Sequence, residues 1–203
     1  MLNQWLEPQI EYLLALQNFR EATNGFFDHF FIGVTDFGEI SIPTIIVAGI
    51  YWSFRRNFGT YIMWNWSLGM IFCQLFKIIA CIYRPWVLDS RIHPVAEAMK
   101  MVGGYSFPSG HTETAVSVWG GLAVCLKNKI FNAFAVILIL LVAFSRNYLG
   151  VHTPQDVVFS LIFGAFLLFV VKKLMEWEER GKNRDIIILL SVMLPLLGVL
   201  SGM

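Results

Sequence analysis

The chain has 203 residues, of which 57% are hydrophobic and only 14% are charged, and its net charge is +1. Soluble domains carry about 25% charged residues, so this composition excludes an ordinary soluble protein, and it also excludes a disordered chain. Three cysteines are too few for a disulfide-stapled secreted module, and the near-neutral charge gives no reason to expect a nucleic-acid partner. The composition predicts an integral membrane protein with one domain over residues 1–203.

The first 38 residues are mixed in polarity rather than continuously apolar. Between Trp5 and Leu16, apolar residues recur at roughly helical spacing and are interrupted by Glu7 and Glu11. This pattern predicts a helix that lies in the membrane interface. We therefore divide the chain into an N-terminal interfacial helical segment, 1–38, and a transmembrane bundle, 39–203.

Six apolar stretches follow and predict an all-α membrane bundle with about six transmembrane spans, since a spanning helix needs about 20 mostly apolar residues. Several of the stretches are short for this purpose, so their polar ends must supply part of the length. The predicted spans are residues 40–54, 61–83, 111–126, 130–145, 154–174 and 186–202.

Basic residues between the spans predict the orientation, because cytoplasmic loops are enriched in Lys and Arg. If the loop with Arg55 and Arg56 is cytoplasmic, the loop with Lys127 and Lys129 and the basic stretch 172–184 lie on the same side. The long connection 84–110 then lies outside, and long ordered loops are usually functional.

The first unusual polar cluster is the pair Lys77 and Arg84 at the outer end of the second predicted span. Their spacing of seven residues is two helical turns and predicts that both side chains share one helix face, with Pro85 ending the helix. Each could instead extend its charge to the lipid headgroups. Two stacked cations, one of them well inside the span, are better explained by a bound anion.

The second cluster is Ser109, Gly110 and His111, which begins the third predicted span. Ser109 is a good N-cap, and the free N–H groups of a helix start favour an anion. Gly110 lets a ligand approach the backbone, and His111 could donate a hydrogen bond or a proton to it. The alternative is an ordinary helix cap followed by an interfacial histidine.

The third cluster joins the fourth and fifth predicted spans. Arg146 ends one span, His152 precedes the next, and Asp156 lies in its first turn. A carboxylate at this spacing can accept from one imidazole nitrogen and leave the other basic and nucleophilic. The alternative is a loop arginine beside a structural His–Asp pair. In the predicted topology all three clusters lie on the outer side, and a phosphoryl group would use all of them.

These motifs resemble the type 2 phosphatidic acid phosphatase family, which is related to the vanadium haloperoxidases. The family pattern is Lys, six residues, Arg-Pro; then Pro-Ser-Gly-His; then Ser-Arg, five residues, His, three residues, Asp. The chain has every defining position in this order, as Lys77, Arg84, Pro85, residues 108–111, Ser145, Arg146, His152 and Asp156. The resemblance spans residues 77–156, and the apolar helices fit the membrane lipid-phosphatase branch.

The resemblance implies a role for each residue. His152 attacks phosphorus to form a phosphohistidine, Asp156 orients His152, and His111 is the general acid and base. Five residues bind the phosphate: Lys77, Arg84, Ser109, Gly110 and Arg146. No metal and no cofactor are implied, because the three cations supply the charge that Mg²⁺ supplies in other phosphoryl-transfer sites.

The function that follows is hydrolysis of a lipid phosphate at the extracytoplasmic face of the cytoplasmic membrane. Candidate substrates are a polyprenyl diphosphate such as undecaprenyl diphosphate, phosphatidylglycerophosphate and phosphatidic acid. A phosphotransferase that passes the phosphoryl group to another acceptor would use the same site. An anion transporter is a further alternative, although it would not need the His152–Asp156 pairing. The sequence does not report an oligomeric state.

Overall fold

The structure is a computed structural model that describes residues 5–53 and 55–180. Every regular element in these residues is helical, so the predicted all-α fold class is confirmed. The helices are α1 (Glu7–Ala22), α2 (Asp28–Thr35), α3 (Ser41–Ser53), α4 (Arg56–Ala80), α5 (Pro85–Leu88), α6 (Ala96–Met99), α7 (Gly110–Ala115), α8 (Gly121–Leu126), α9 (Lys129–Tyr148) and α10 (Pro154–Arg180). A 3₁₀ turn, Asp36–Gly38, joins α2 to the segment before α3, and a π turn, Val116–Gly120, joins α7 to α8.

Four helical segments within the described residues are long and apolar enough to cross a bilayer: Asp28–Ser53, Arg56–Leu88, Lys129–Tyr148 and Pro154–Trp177. The continuous helix from α7 to α8 matches the predicted span 111–126 but is shorter than these four. The predicted sixth span, 186–202, lies outside the described residues. The count of six spans therefore stays a prediction.

The first candidate span begins earlier than the sequence predicts. The sequence placed it at 40–54 because Asp36 and Glu39 are charged, but the 3₁₀ turn carries the helical path through Asp36, and the apolar segment starts at Asp28. The predicted boundary between residues 38 and 39 falls inside this segment. Only α1 remains as the N-terminal helix outside the spans.

Helix α1 packs against the long connection between α5 and α6. Its buried residues Ile10 and Leu13 contact Ile92 of that connection. Gln17 fixes the same contact through hydrogen bonds: its side chain donates to the carbonyl of Arg91 and accepts from the N–H of His93. The apolar periodicity of α1 thus serves packing within the protein, and its position in the membrane interface stays a prediction.

The end of α4 differs from the prediction. The helix stops at Ala80 because Cys81 adopts the left-handed conformation, with φ of 48°, and Arg84 is extended because Pro85 follows it. Lys77 and Arg84 therefore do not share a helix face, although they remain close. Pro85 begins α5 instead of ending α4.

The main core lies between α3, α4, α8, α9, α10 and the π turn. Its buried members include Val47, Ile62, Val118, Leu138 and Val171. Lipid chains are as apolar as these side chains, so the core holds a membrane bundle together by close packing rather than by removing apolar surface from water. The chain crosses this core repeatedly. The C-terminal ends of α4 and α9 and the N-terminal ends of α7 and α10 therefore meet at one end of the bundle, which we call the site end.

Gly59 allows α3 and α4 to cross closely, because a Cβ at Gly59 would lie 2.6 Å from the Cα of Tyr51. We expect Gly59→Ala to lower the free energy of unfolding by about 1–3 kcal/mol, since backbone atoms must separate to admit the methyl group. Gly49→Ala is the control, because nothing lies within 4 Å of its Cβ position. Thermal unfolding in detergent measures both, and equal effects of the two substitutions would contradict this packing.

Candidate active site

A cavity of about 330 Å³ opens at the site end of the bundle. Its wall contains residues from all three motifs, namely Lys77, Arg84, Gly110, His111 and His152. The structure thus brings His111 and His152 to one cavity. The remaining predicted residues, Ser109, Arg146 and Asp156, are completely buried and lie outside its wall.

His152 and Asp156 form a buried pair. The Nδ1 atom of His152 lies 3.3 Å from Oδ2 of Asp156, and the same Oδ2 accepts hydrogen bonds from the N–H of Thr153 at 2.9 Å and the hydroxyl of Ser106 at 2.5 Å. The Thr153 contact is half of a capping box, because Thr153 precedes Pro154 at the start of α10. The fold of the helix start therefore fixes the carboxylate that orients the imidazole.

The neighbours of His152 also determine its tautomer. Nε2 lies 3.0 Å from Nη1 of Arg84, and a guanidinium can only donate, so Nε2 must accept. Nδ1 therefore carries the proton and donates to Asp156. Nε2 therefore has the free electron pair, and it accepts a hydrogen bond from Arg84 at the wall of the cavity.

Burial lowers the pKa of His152 to about 3, with the nearby Arg84 and Arg146 charges acting in the same direction and the hydrogen bond to Asp156 acting in the opposite direction. The ring is only 2% exposed. His152 is therefore a neutral imidazole at physiological pH, which is the form that a nucleophile requires.

Arg84 is held in place by backbone carbonyls. Its guanidinium donates to Gly103, Gly104 and Val151 at 2.8–3.1 Å. None of these partners is charged, so the positive charge stays available to an anion. The three carbonyls belong to the connection before α7 and the loop before α10, which explains why these loops must be ordered.

Lys77 approaches the cavity from α4, and its ammonium donates to the carbonyl of Tyr105 at 2.7 Å. Arg146 lies deeper, with Nη1 donating to Oγ1 of Thr35 at 2.7 Å. Its Nε and Nη2 atoms are buried without a partner. A fully buried guanidinium with two unused donors is costly unless an anion or water satisfies them.

The start of α7 forms the opposite wall. Ser109 is the N-cap residue, but its hydroxyl lies 3.0 Å from the hydroxyl of Thr112 and makes no capping hydrogen bond. The prediction that Ser109 is the N-cap residue is confirmed, and the helix begins at Gly110 without a side-chain cap. The Nε2 atom of His111 is buried without a partner. Gly38 of the 3₁₀ turn packs tightly against the backbone of His111, since a Cβ at Gly38 would lie 2.5 Å from the carbonyl oxygen of His111.

Two buried hydroxyl groups were missed from the sequence. The hydroxyl of Ser106 donates to Asp156, and the hydroxyl of Thr35 accepts from Arg146. Ser106 stands three residues ahead of Ser109, so its nearness to the second motif was a usable signal. Thr35 gave none, because it lies far from Arg146 in sequence.

Charge around the cavity is unbalanced. Within residues 5–53 and 55–180, no carboxylate forms a salt bridge with Lys77, Arg84 or Arg146. The same residues contain no group of three or more His, Cys, Asp or Glu arranged to hold a metal ion. The geometry is suited to binding a multiply charged anion beside a neutral imidazole.

Comparisons with known proteins show which proteins the chain is similar to. A family model described as the PAP2 superfamily matches residues 58–180. The chain is 27% identical to phosphatidylglycerophosphatase B of Bacillus subtilis, over 75% of this chain and 77% of that protein. It is 26% identical to undecaprenyl-diphosphatase BcrC of the same organism, over 72% and 74% respectively. A crystal structure of a transmembrane PAP2-type phosphatidylglycerolphosphate phosphatase from Bacillus subtilis shares the fold, with a TM-score of 0.71, 24% identity and 90% coverage of each chain.

We predict that the ring of His152 does not titrate between pH 5 and pH 8. Its pKa of about 3 means that the ring is half protonated only near pH 3 and stays neutral above pH 5, with the proton on Nδ1 throughout this range. ¹⁵N NMR of histidine-labelled protein measures both properties, and the chain has only 4 histidines. The spectrum of His152→Asn assigns the signal. A midpoint near the ordinary histidine value of about 6.5 would contradict the buried neutral pair.

Proposed function

This chain belongs to the PAP2 superfamily, and from that premise we propose that it is a membrane lipid phosphatase that acts through a phosphohistidine at His152. The observation that carries the proposal is the unprotonated Nε2 of His152, which accepts from Arg84 in a cavity shared with Lys77 and His111. The relatives named above are phosphatases of phosphatidylglycerophosphate and undecaprenyl diphosphate, which supports a lipid phosphate as the substrate.

The proposed reaction has two steps. Nε2 of His152 attacks phosphorus, the bond to the lipid oxygen breaks, and His111 protonates the leaving oxygen. His111 then takes a proton from water, the water oxygen attacks phosphorus, and the bond to Nε2 breaks to release inorganic phosphate. Asp156 stabilises the cationic ring that exists between the two steps.

Lys77, Arg84 and Arg146 stabilise the charge on the phosphoryl oxygens in both steps. The side chain of Ser109 and the N–H groups around Gly110 at the start of α7 complete the phosphate site. The unpartnered donors of Arg146 support this role, because an oxyanion would satisfy them. Arg84 leaves Nε2 of His152 and contacts phosphoryl oxygens when substrate enters. No step requires a metal.

The site end is the extracytoplasmic end in this proposal. The opposite end carries Arg55, Arg56, Lys127, Lys129 and Lys172, which the positive-inside rule places in the cytoplasm. The substrate is a lipid whose phosphate is exposed at the outer surface of the cytoplasmic membrane.

The proposal predicts that His152→Asn abolishes phosphate release and that His111→Asn lowers it by about 10²–10⁴-fold, the usual contribution of a general acid–base. His29→Asn is the matched control, because His29 is exposed on α2. Phosphate release from phosphatidylglycerophosphate, undecaprenyl diphosphate and phosphatidic acid in detergent is the measurement. Hydrolysis of none of these lipids by the unsubstituted chain, or normal hydrolysis by either site variant, would refute the proposal.

Ser106→Ala should lower kcat by about 10- to 100-fold, because a hydrogen bond to a charged group contributes about 1.5–3 kcal/mol. Ser160→Ala should leave kcat nearly unchanged. Its hydroxyl is equally buried but donates to the backbone carbonyl of Asp156, so the carboxylate is not affected. Equal losses in the two variants would show that Ser106 does not act through the carboxylate.

Activity should persist in excess chelator and should be inhibited by vanadate, since three cations perform the charge stabilisation and vanadate resembles the phosphoryl group in transfer. Steady-state rates with EDTA, and then with added Mg²⁺, provide the test. A rate that falls in EDTA and recovers with Mg²⁺ would contradict metal-independent transfer.

A further inference from the structure

A second cavity, of about 570 Å³, opens at the end of the bundle opposite the active site. Its wall is formed by the start of α4, the end of α8 and the last turns of α10. Three cations from these three places line it: Arg55, Lys127 and Lys172. Nothing in the proposed reaction uses this cavity.

The three cations carry an excess of positive charge. Among the described residues, no salt bridge involves Arg55, Lys127 or Lys172. The one carboxylate in the wall is Glu176, which accepts from Lys173 at 3.2 Å, and Lys173 is not part of the wall. The cavity is therefore suited to an anion.

The backbone at Lys127 supports a function for its side chain. Lys127 ends α8 in the left-handed conformation, with φ of 52°, which is the position that glycine usually fills at the end of a helix. A lysine there has a conformational cost that glycine would avoid. The lysine at this position supplies an ammonium group to the wall of the cavity, which a glycine could not do.

The remaining wall is largely apolar and includes Phe58, Leu126 and Met175. A soluble anion would gain nothing from this surface, whereas a lipid would place its acyl chains against it. Basic pockets between transmembrane helices on the cytoplasmic side commonly bind anionic headgroups. The chemistry recognised is a phosphate ester, and the apolar wall favours the headgroup of a phospholipid over free phosphate.

We propose that this cavity binds the phosphate of an anionic phospholipid from the leaflet opposite the active site. Arg55, Lys127 and Lys172 contact the phosphate oxygens, and the apolar side chains contact the first part of the acyl chains. The site is distinct from the catalytic cavity, so its ligand is bound and not cleaved.

The chain offers a close control, since each of the three cations has a neighbouring cation outside the cavity wall. The cavity variant combines Arg55→Gln and Lys127→Gln. The control variant combines Arg56→Gln and Lys129→Gln, which removes the same charge from the same end of the bundle and keeps the pair between Lys173 and Glu176. Neither variant alters the active site, and unfolding temperatures establish that both fold.

Native mass spectrometry of the full chain in detergent, titrated with phosphatidylglycerol, measures the binding. We expect the cavity variant to weaken the tightest lipid-binding event by more than tenfold, since each basic residue beside an anionic headgroup contributes roughly fivefold. The control variant should change it by less than threefold, and phosphatidylcholine should bind equally to all forms. If the cavity variant does not fold, Lys127→Gln against Lys129→Gln makes the same comparison with a smaller difference.

Glycerol phosphate distinguishes the two sources of a phosphate ester, because it carries the phosphate without acyl chains. Failure of millimolar glycerol phosphate to displace phosphatidylglycerol supports the lipid site. Displacement would overturn the assignment to a lipid. Equal weakening in the cavity and control variants, or no weakening in either, would overturn the site itself.

Discussion

Positive charge buried without a matching carboxylate is the constraint on which this structure depends. Arg84 is 6% exposed and Arg146 is fully buried in an apolar bundle, yet neither forms a salt bridge with any described residue. Charges in such a position are costly unless other groups satisfy them. Three backbone carbonyls satisfy most of the Arg84 guanidinium, and Arg146 keeps two donors unused. Those carbonyls tie the loops around the site to Arg84, and in the proposed function the unused donors of Arg146 bind a phosphoryl oxygen.

The same end of the bundle holds a neutral imidazole where an anion would bind. The helix start at Pro154 fixes Asp156, and Asp156 fixes the tautomer of His152, so the free electron pair lies at Nε2. Burial lowers the pKa of His152 and keeps the ring neutral. In the proposed reaction the cations stabilise the anion and the neutral ring attacks it, so phosphoryl transfer needs both properties in one cavity. The cations and the imidazole share one cavity because the ends of α4 and α9 and the starts of α7 and α10 lie at the site end.

Sequence reasoning predicted much of this arrangement because the motifs are local. Ser109, Gly110 and His111 begin one helix, and His152 precedes the start of another, so their positions follow from short-range rules. The end of α4 could not be predicted in this way, because the left-handed conformation of Cys81 is not a usual property of cysteine. The start of the first apolar segment was missed for a related reason: the 3₁₀ turn Asp36–Gly38 and the extended Glu39 after it place two charged residues within that segment. The contact of Thr35 with Arg146 depends on tertiary packing, which sequence spacing does not encode.

The most direct test of the account is to trap the proposed covalent intermediate. With a substrate such as p-nitrophenyl phosphate, whose leaving group needs no protonation, His111→Asn should leave the first step intact and slow the second, in which water is activated, so that a phosphoryl group accumulates on the enzyme during turnover. Quenching in base preserves phosphohistidine, and mass spectrometry of the peptides locates the added phosphoryl group. The account predicts that it lies on His152 and is absent from the double variant His111→Asn with His152→Asn. A phosphoryl group on another residue would contradict His152 as the nucleophile, as would steady turnover by the double variant.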